Sequence, residues 1–225
     1  MNPIESLISF LTYQSCSICH AAEGPLCEPC FMLISSDQES RCYICNKLTK
    51  QNRVCSSCNS GLRRVWWAGP YRGELKTLIK ELKFQRKRML ARQFGAYLSD
   101  LVPFLDEATL VVSVPTAPRR IRRRGFDQAV VLARSLARNR GLPYLEVFVR
   151  TSSADQIGKR RTQRIKQMEH SFALATPESE VMGKTILLVD DVLTTGATLE
   201  AAARLLRKHG AAHVDAVVVA RHLPK

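Results

Sequence analysis

The 225 residues carry 34 Lys and Arg against 20 Asp and Glu, a formal net charge of +14. A 45% apolar content can furnish a real core, and the length suits one domain of about 150 residues with a small appendage. No apolar run approaches the ~20 residues that span a bilayer, and the start lacks the cationic opening and cleavage site of a secretory signal, so a helical membrane protein and an exported one are excluded in favour of a cytoplasmic protein.

Met1 to Tyr13 shows a short amphipathic pattern in Ile4, Leu7, Ile8 and Leu11 and is expected as a packing helix. The cysteines follow, all eight before residue 59, as four Cys-x-x-Cys pairs: Cys16/Cys19, Cys27/Cys30, Cys42/Cys45 and Cys55/Cys58. A two-residue spacer lets both thiolates of a knuckle face one ion, and two knuckles complete a tetrahedral site, so two structural zinc ions are expected. Disulfides would require export, and redox pairs seldom come four in a row; iron–sulfur ligation is the other alternative. Sequential pairing closes loops of seven and nine residues. Interleaved pairing would give a cross-braced module, and the lower closure entropy of short loops favours the sequential form.

Charge divides the chain. Residues 1–61 hold 4 basic and 5 acidic residues, whereas residues 62–225 hold 30 and 15. Two zinc ions on eight thiolates would take the first part to about −5, which argues against the ribbons as a nucleic-acid surface. The expected division is a double zinc-ribbon module over 1–61 and an α/β domain over 62–225.

In the second part, Val65, Trp66 and Trp67 read as a strand, with the tryptophans packing at the junction. Leu75, Leu78, Ile79 and Leu82 form one apolar face of a helix opened by Gly73. A second helix carries Leu90, Phe94, Tyr97, Leu98 and Leu101 and ends at Pro103. Leu110 to Val114 reads as a buried strand closed by Pro115, followed by a basic loop over 118–125 and a helix over about 127–139 ended by Gly141. Tyr144 to Val149 reads as a strand, 151–171 as a polar, basic loop, and Thr185 to Val189 as a buried strand. A helix over 195–209, with Ala202, Leu205, Leu206 and His209 on one face, stops at Gly210. Val214 to Ala220 is the last strand. Alternating helices and continuously apolar strands imply a parallel sheet covered on both faces.

The most informative stretch runs from Ile186 to Thr198, Ile-Leu-Leu-Val-Asp-Asp-Val-Leu-Thr-Thr-Gly-Ala-Thr. A buried strand delivers Asp190 and Asp191 to the edge where open α/β sheets bind ligands. A loop of hydroxyls and one glycine then opens into a helix whose free N–H groups and dipole suit a phosphate. Carboxylates there make sense as acceptors for a sugar diol.

This segment resembles the thirteen-residue signature of type I phosphoribosyltransferases. The resemblance implies that Asp190 and Asp191 bind the ribose hydroxyls of phosphoribosyl pyrophosphate (PRPP). It implies that Thr194, Thr195, Gly196, Ala197 and Thr198 bind the 5′-phosphate. By position, Ser113-Val114-Pro115-Thr116 with Arg119 would hold the pyrophosphate, and Mg²⁺ would bridge pyrophosphate and ribose oxygens.

The whole chain is similar to the ComF family, which includes the GntX proteins. The features that carry this are the Cys-x-x-Cys module, the run from Pro118 to Gln128 (Pro-Arg-Arg-Ile-Arg-Arg-Arg-Gly-Phe-Asp-Gln), the basic loop from Gln156 to Glu169, and the signature. The resemblance implies a role in natural transformation, handling incoming single-stranded DNA in the cytoplasm, with partners among DNA-uptake or recombination proteins. Two positions depart from the family: Asp127 stands where Asn is often found, and Arg164-Ile165-Lys166-Gln167 lacks the Asn of the flexible loop.

Two basic clusters are candidates for nucleic-acid contact: Arg119, Arg120, Arg122, Arg123 and Arg124, and Lys159, Arg160, Arg161, Arg164 and Lys166. The alternative for each is a solvated face. Single-strand binders also use aromatic platforms, and Phe126 is the candidate beside the arginines. The last predicted strand ends five residues before Lys225, so no C-terminal hood to recognise a base is expected, and the zinc module is the candidate for that place. An active, Mg-dependent phosphoribosyltransferase with an unknown acceptor is the alternative function.

Overall fold

The computed structural model describes residues 15–35, 39–84, 88–103, 105–150 and 172–223. The expected helix at Met1 to Tyr13 and the basic loop bearing Lys159, Arg160, Arg161, Arg164 and Lys166 lie outside the described residues.

A four-stranded, fully parallel sheet organises the chain. It comprises β1 (Val65–Pro70), β2 (Leu110–Ser113), β5 (Thr185–Leu193) and β6 (His213–Arg221), in the order β1-β6-β5-β2. Residue parity sorts the side chains between the faces, as the two-residue period of a strand requires. Trp66, Val111, Leu187, Val189, Val217 and Val219 enter one core, and Trp67, Leu110, Val112, Ile186, Leu188 and Val218 enter the other. The adjacent tryptophans thus anchor opposite faces.

The first face is covered by α2 (Gly73–Phe84), α3 (Arg88–Leu101) and α5 (Gln128–Arg140). Leu75, Leu78, Ile79 and Leu82 are all buried, as the helical spacing predicts. The second face is covered by α6 (Ala197–Lys208) through Leu199, Ala202, Ala203 and Leu206. The sheet is therefore the doubly covered parallel type expected from its uninterrupted apolar strands.

Two elements differ from the sequence reading. The basic segment 118–125 is not a loop but a helix, α4 (Pro118–Arg124). Pro118 occupies its first turn, and Gly125 ends it in the left-handed conformation at φ 81°, the Pro-in, Gly-out asymmetry of short helices. The strand expected over Tyr144 to Val149 is broken. Tyr144 makes a single parallel bridge to Val111 at the sheet edge. The chain then turns away, and β3 (Phe148–Arg150) pairs antiparallel with β4 (Phe172–Leu174) as a separate ribbon.

Among the described residues, the cysteine-rich segment shares the cores of the sheet. Cys16, Leu26, Cys27 and Phe31 belong to the first core, with Phe31, on α1 (Glu28–Ser35), stacked on Tyr97 at 4.2 Å. Tyr43 belongs to the second core. Each half of the segment thus packs on a different face of the sheet. The second half meets the start of edge strand β1: Val65 N–H donates to Asn52 O at 3.1 Å, and Val54 N–H donates to O of Arg63, just before the strand, at 3.0 Å. Gly69 admits the end of α1, because a Cβ there would lie 2.6 Å from Ile34 O.

Candidate ligand cleft and metal sites

The cysteines gather in two sets, Cys16/Cys19/Cys27/Cys30 and Cys42/Cys45/Cys55/Cys58, each with its sulfurs within 4.8 Å of one another. The pairing is sequential. All eight are free of disulfides. Zinc–sulfur bonds of about 2.3 Å in a tetrahedron put sulfurs about 3.8 Å apart, and the Cys19–Cys27 and Cys45–Cys55 pairs lie at 3.5 Å. The backbone N–H groups of Ile18 and Cys27 donate to Cys16 Sγ, as suits a thiolate. Both sets can hold zinc, with no ligand position left for catalysis.

At the C-terminal edge of the sheet, the ends of all four strands converge on a cleft of about 300 Å³. Strand β5 runs four residues further than its apolar run suggests, so Asp190 and Asp191 lie within it, at the cleft floor. Asp191 pairs with Lys83 Nζ of α2 at 2.9 Å. Asp190 Oδ1 accepts from Asp191 N–H at 2.7 Å. Thr194 and Thr198 flank these carboxylates, with Thr116 opposite on the loop after β2. Gly196, φ 76°, is the N-cap of helix α6, and Thr195 Oγ1 accepts from the first helical N–H, that of Ala197, at 3.4 Å. Of the other residues expected to bind ligand, Thr195 and Gly196 form the loop that leads into α6, Ala197 is the first residue of that helix, and Arg119 is exposed on α4.

Helical period sorts the arginines of α4. Arg119, Arg120, Arg122 and Arg123 are exposed and Arg124 is buried; Arg120 and Arg124, one turn apart at i and i+4, also line the cleft. Arg124 is only 7% exposed, so it cannot belong to an open nucleic-acid face as first expected. Its Nη1 donates to Gln128 Oε1 at 2.6 Å, while its Nε has no partner among the described residues. Phe126 is likewise corrected: 8% exposed and packed in the first core, with the Arg88 guanidinium 6.0 Å from its ring centroid, it offers no platform for a base.

Asp127, the family departure, caps α5 by accepting from Ala129 N–H at 3.0 Å, and it takes the Thr116 hydroxyl at 2.9 Å. An acceptor-only side chain fits both donors. Burial pushes its carboxyl above the ordinary range despite those bonds. Sequence reasoning missed Lys83, Arg150, Tyr71 and His222. All four line the cleft, and the last two rings lie 4.5 Å apart. They come from ends of elements, where no periodic signal marks them.

Burial, and then the neighbouring Asp191 carboxylate, push Asp190 up to about 8, with Lys83 opposing. The folded chain therefore binds this proton more tightly than the unfolded one, so stability must fall as pH rises from about 4 to about 8. Asp190→Asn removes that penalty. Thermal melts without ligand should show the variant gaining on wild type across this window, by on the order of 1–3 kcal/mol at pH 8. Parallel melting curves at pH 5 and 8 would contradict the assignment.

Among the described residues, no helix is long and apolar enough to cross a membrane. Residues 121–224 match the phosphoribosyl transferase domain family. Three curated proteins are similar over nearly their full length. Competence protein F of Haemophilus influenzae is 30% identical over 214 residues, covering 90% of this chain and 93% of its own. Competence protein ComFC of Streptococcus pneumoniae is 26% identical over 222 residues, covering 96% and 97%. The DNA utilization protein YhgH of Escherichia coli is 30% identical over 224 residues, covering 88% and 97%. With a phosphoribosyltransferase-type sheet, two four-cysteine sites and these relatives, the chain belongs to the ComF/GntX family.

Proposed function

We propose that this protein handles single-stranded DNA in the cytoplasm during transformation and binds PRPP in the cleft at the sheet edge. The observation that carries this reading is the polarity of the cleft. Two carboxylates that suit a diol stand on the floor. Around them are cationic Lys83, Arg120 and Arg150, the buried Arg124, whose Nε has no partner among the described residues, and the N-terminus of α6. A ligand bearing a sugar diol between two phosphate groups satisfies both halves at once.

In this reading Asp190 and Asp191 accept from the ribose hydroxyls, and Thr194 and Thr198 with the α6 N-terminus hold the 5′-phosphate. Thr116 and the cleft-facing arginines meet the pyrophosphate. Binding would draw Lys83 from Asp191 toward phosphate. The two cysteine sets are the only groups of three or more metal-binding side chains among the described residues. The cleft thus provides no protein cage for Mg²⁺, which would enter on the pyrophosphate, as suits its preference for phosphate oxygens.

The exposed face of α4 is the proposed DNA contact. It adjoins the cleft, and arginine's planar fork suits phosphate. Replacing Arg119, Arg122 and Arg123 together by Ala should weaken single-strand binding at every sequence tested. The slope of log K against log salt should flatten by about 0.7 per lost contact, or about two for three. Binding titrations of an oligonucleotide across a salt series measure this directly. Wild-type affinity and slope in the triple variant would make this face a solvated surface.

The Tyr71–His222 ring pair at the cleft supports a second reading, an active phosphoribosyltransferase with a flat acceptor. The acceptor's nucleophilic atom would bond to the anomeric carbon as its bond to pyrophosphate breaks, with pyrophosphate leaving and the acceptor proton passing to solvent. Release of pyrophosphate that depends on an added acceptor would distinguish it from binding alone.

A further inference from the structure

The second cysteine set lies against the back of the phosphate loop. Tyr43, one residue after Cys42, packs its ring on the Gly196 backbone so closely that a Cβ there would lie 2.7 Å from Tyr43 Cε2. The ring thus occupies the space any larger residue would need, while Gly196 itself holds φ +76°. The Tyr43 hydroxyl reaches one helical turn further and donates to Glu200 Oε2 at 2.9 Å.

Glu200 is the convergence point. It is fully buried on the first turn of α6, and its N–H donates to Gly196 O at 2.8 Å. Its carboxylate also accepts from Ser60 Oγ at 2.6 Å, Gly61 N–H at 2.8 Å and Arg204 Nε at 2.7 Å. Burial alone would raise this carboxyl, but hydrogen bonds from Ser60, Arg204, Gly61 and Tyr43 outweigh it and hold the group below its ordinary range. Tyr43 follows the first cysteine of the second set, and Ser60 and Gly61 follow the last. Both ends of the four-cysteine unit are therefore tied to one carboxylate behind the loop.

A second tie runs to the strand that leads into the cleft. Arg221, 1% exposed, donates from Nη2 to Tyr43 O at 3.0 Å and from Nη1 to Asn46 Oδ1 at 3.2 Å. Its guanidinium lies 4.5 Å over the Trp67 ring. The next residue, His222, lines the cleft, and its N–H donates to Leu193 O at 2.8 Å, immediately before the loop. The loop is held at its exit through Glu200 and at its entry through Arg221 and His222, and the second cysteine unit joins both. The first cysteine set packs in the other core.

We infer that the second four-cysteine unit is a brace for the phosphate loop, with Tyr43 and Glu200 as positioning residues, so that metal in that unit and PRPP in the cleft bind cooperatively. This rests on the reading of the cleft as a PRPP site. The metal fixes Cys42, and with it Tyr43. Without it, the Gly196 turn loses the ring that limits its conformations, and ligand binding must order a looser loop. Coupling between two sites is reciprocal, so bound ligand must also retain the metal.

Three measurements test this. In wild type loaded with two zinc ions, saturating Mg-bound PRPP should slow zinc transfer from the second set to a chelator by about tenfold. Zinc in the first set, the internal control, should leave at an unchanged rate. Tyr43→Leu, isolated with both zinc ions, should bind PRPP about tenfold more weakly. Tyr43→Phe, which keeps the ring and loses one hydrogen bond, should lose no more than about fivefold. Without ligand, Tyr43→Leu should speed amide exchange at residues 195–199. Equal ligand affinity in wild type and zinc-loaded Tyr43→Leu overturns the inference, as does ligand-independent release from the second set. If wild type takes up no PRPP while the variant still exchanges faster at 195–199, the brace stands and the ligand reading falls. Unchanged exchange there overturns the brace.

Discussion

Asp190→Asn combined with Asp191→Asn is expected to lower affinity for Mg-bound PRPP by at least about 100-fold. Above pH 8, where Asp190 as well as Asp191 is charged, hydrogen bonds to these groups contribute about 1.5–3 kcal/mol each, and two lost acceptors make about 3–6 kcal/mol, where about 1.4 kcal/mol is a factor of ten. An amide supplies one acceptor oxygen and a misplaced donor. The fold should survive and even gain stability, because burial and like charge already hold Asp190 near 8. The expected combination is thus a more stable protein that no longer binds, the usual relation at a site built for function. Calorimetric titration together with thermal melts checks both halves. Unchanged affinity would remove the diol assignment. Lost affinity with lost stability would mean that the pair serves the fold.

Metal removal should have the other large effect. Metal analysis of anaerobically purified protein is expected to find two zinc ions per chain, and one after Cys42→Ser. Structural zinc in small modules contributes on the order of 10 kcal/mol, comparable to the whole stability of a domain, about 5–15 kcal/mol. The damage should spread beyond the cysteines, because the segment shares the cores of the sheet. Cys16, Cys27 and Phe31 lie in one sheet core and Tyr43 in the other. Stripping both ions should therefore lower the melting temperature of the entire chain and expose the start of edge strand β1, where Val65 N–H donates to Asn52 O. Limited proteolysis should then cut first within residues 39–62. Disulfides in place of metal, or a melting curve indifferent to a chelator, would contradict this.

Much of the architecture can be read from spacing. Four Cys-x-x-Cys pairs with short loops indicate two sequential sets, and that is how the sulfurs gather. The apolar face Leu75, Leu78, Ile79 and Leu82 and the run Ile186 to Val189 place their helix and strand because the period of burial is local. The partition of the arginines was equally local. Pro118 and Gly125 bracket a helix, and its period places Arg120 and Arg124 on the cleft side, with Arg124 buried and Arg120 exposed. Reading that stretch as a loop hid the division.

Other features depend on packing between distant segments. Nothing near Lys83 signals that the end of α2 meets Asp191, and Glu200 looks like an ordinary surface acid until Tyr43 and Ser60 arrive from about 140 residues or more away. Phe126 looked like a stacking platform because aromatic residues beside arginines do not reveal which way the turn points them. Tyr144 to Val149 has strand composition, but the sheet edge accepts only Tyr144, and the remainder finds its partner in β4.

The most direct test of the cleft is a calorimetric titration of wild-type, zinc-loaded protein with Mg-bound PRPP, run beside ribose 5-phosphate and inorganic pyrophosphate. A site that holds diol, 5′-phosphate and pyrophosphate together should saturate at one ligand per chain and bind the whole molecule more tightly than either fragment. No saturable binding, or affinity no greater than that for pyrophosphate alone, would mean that the cleft is a general anion site and not one for PRPP.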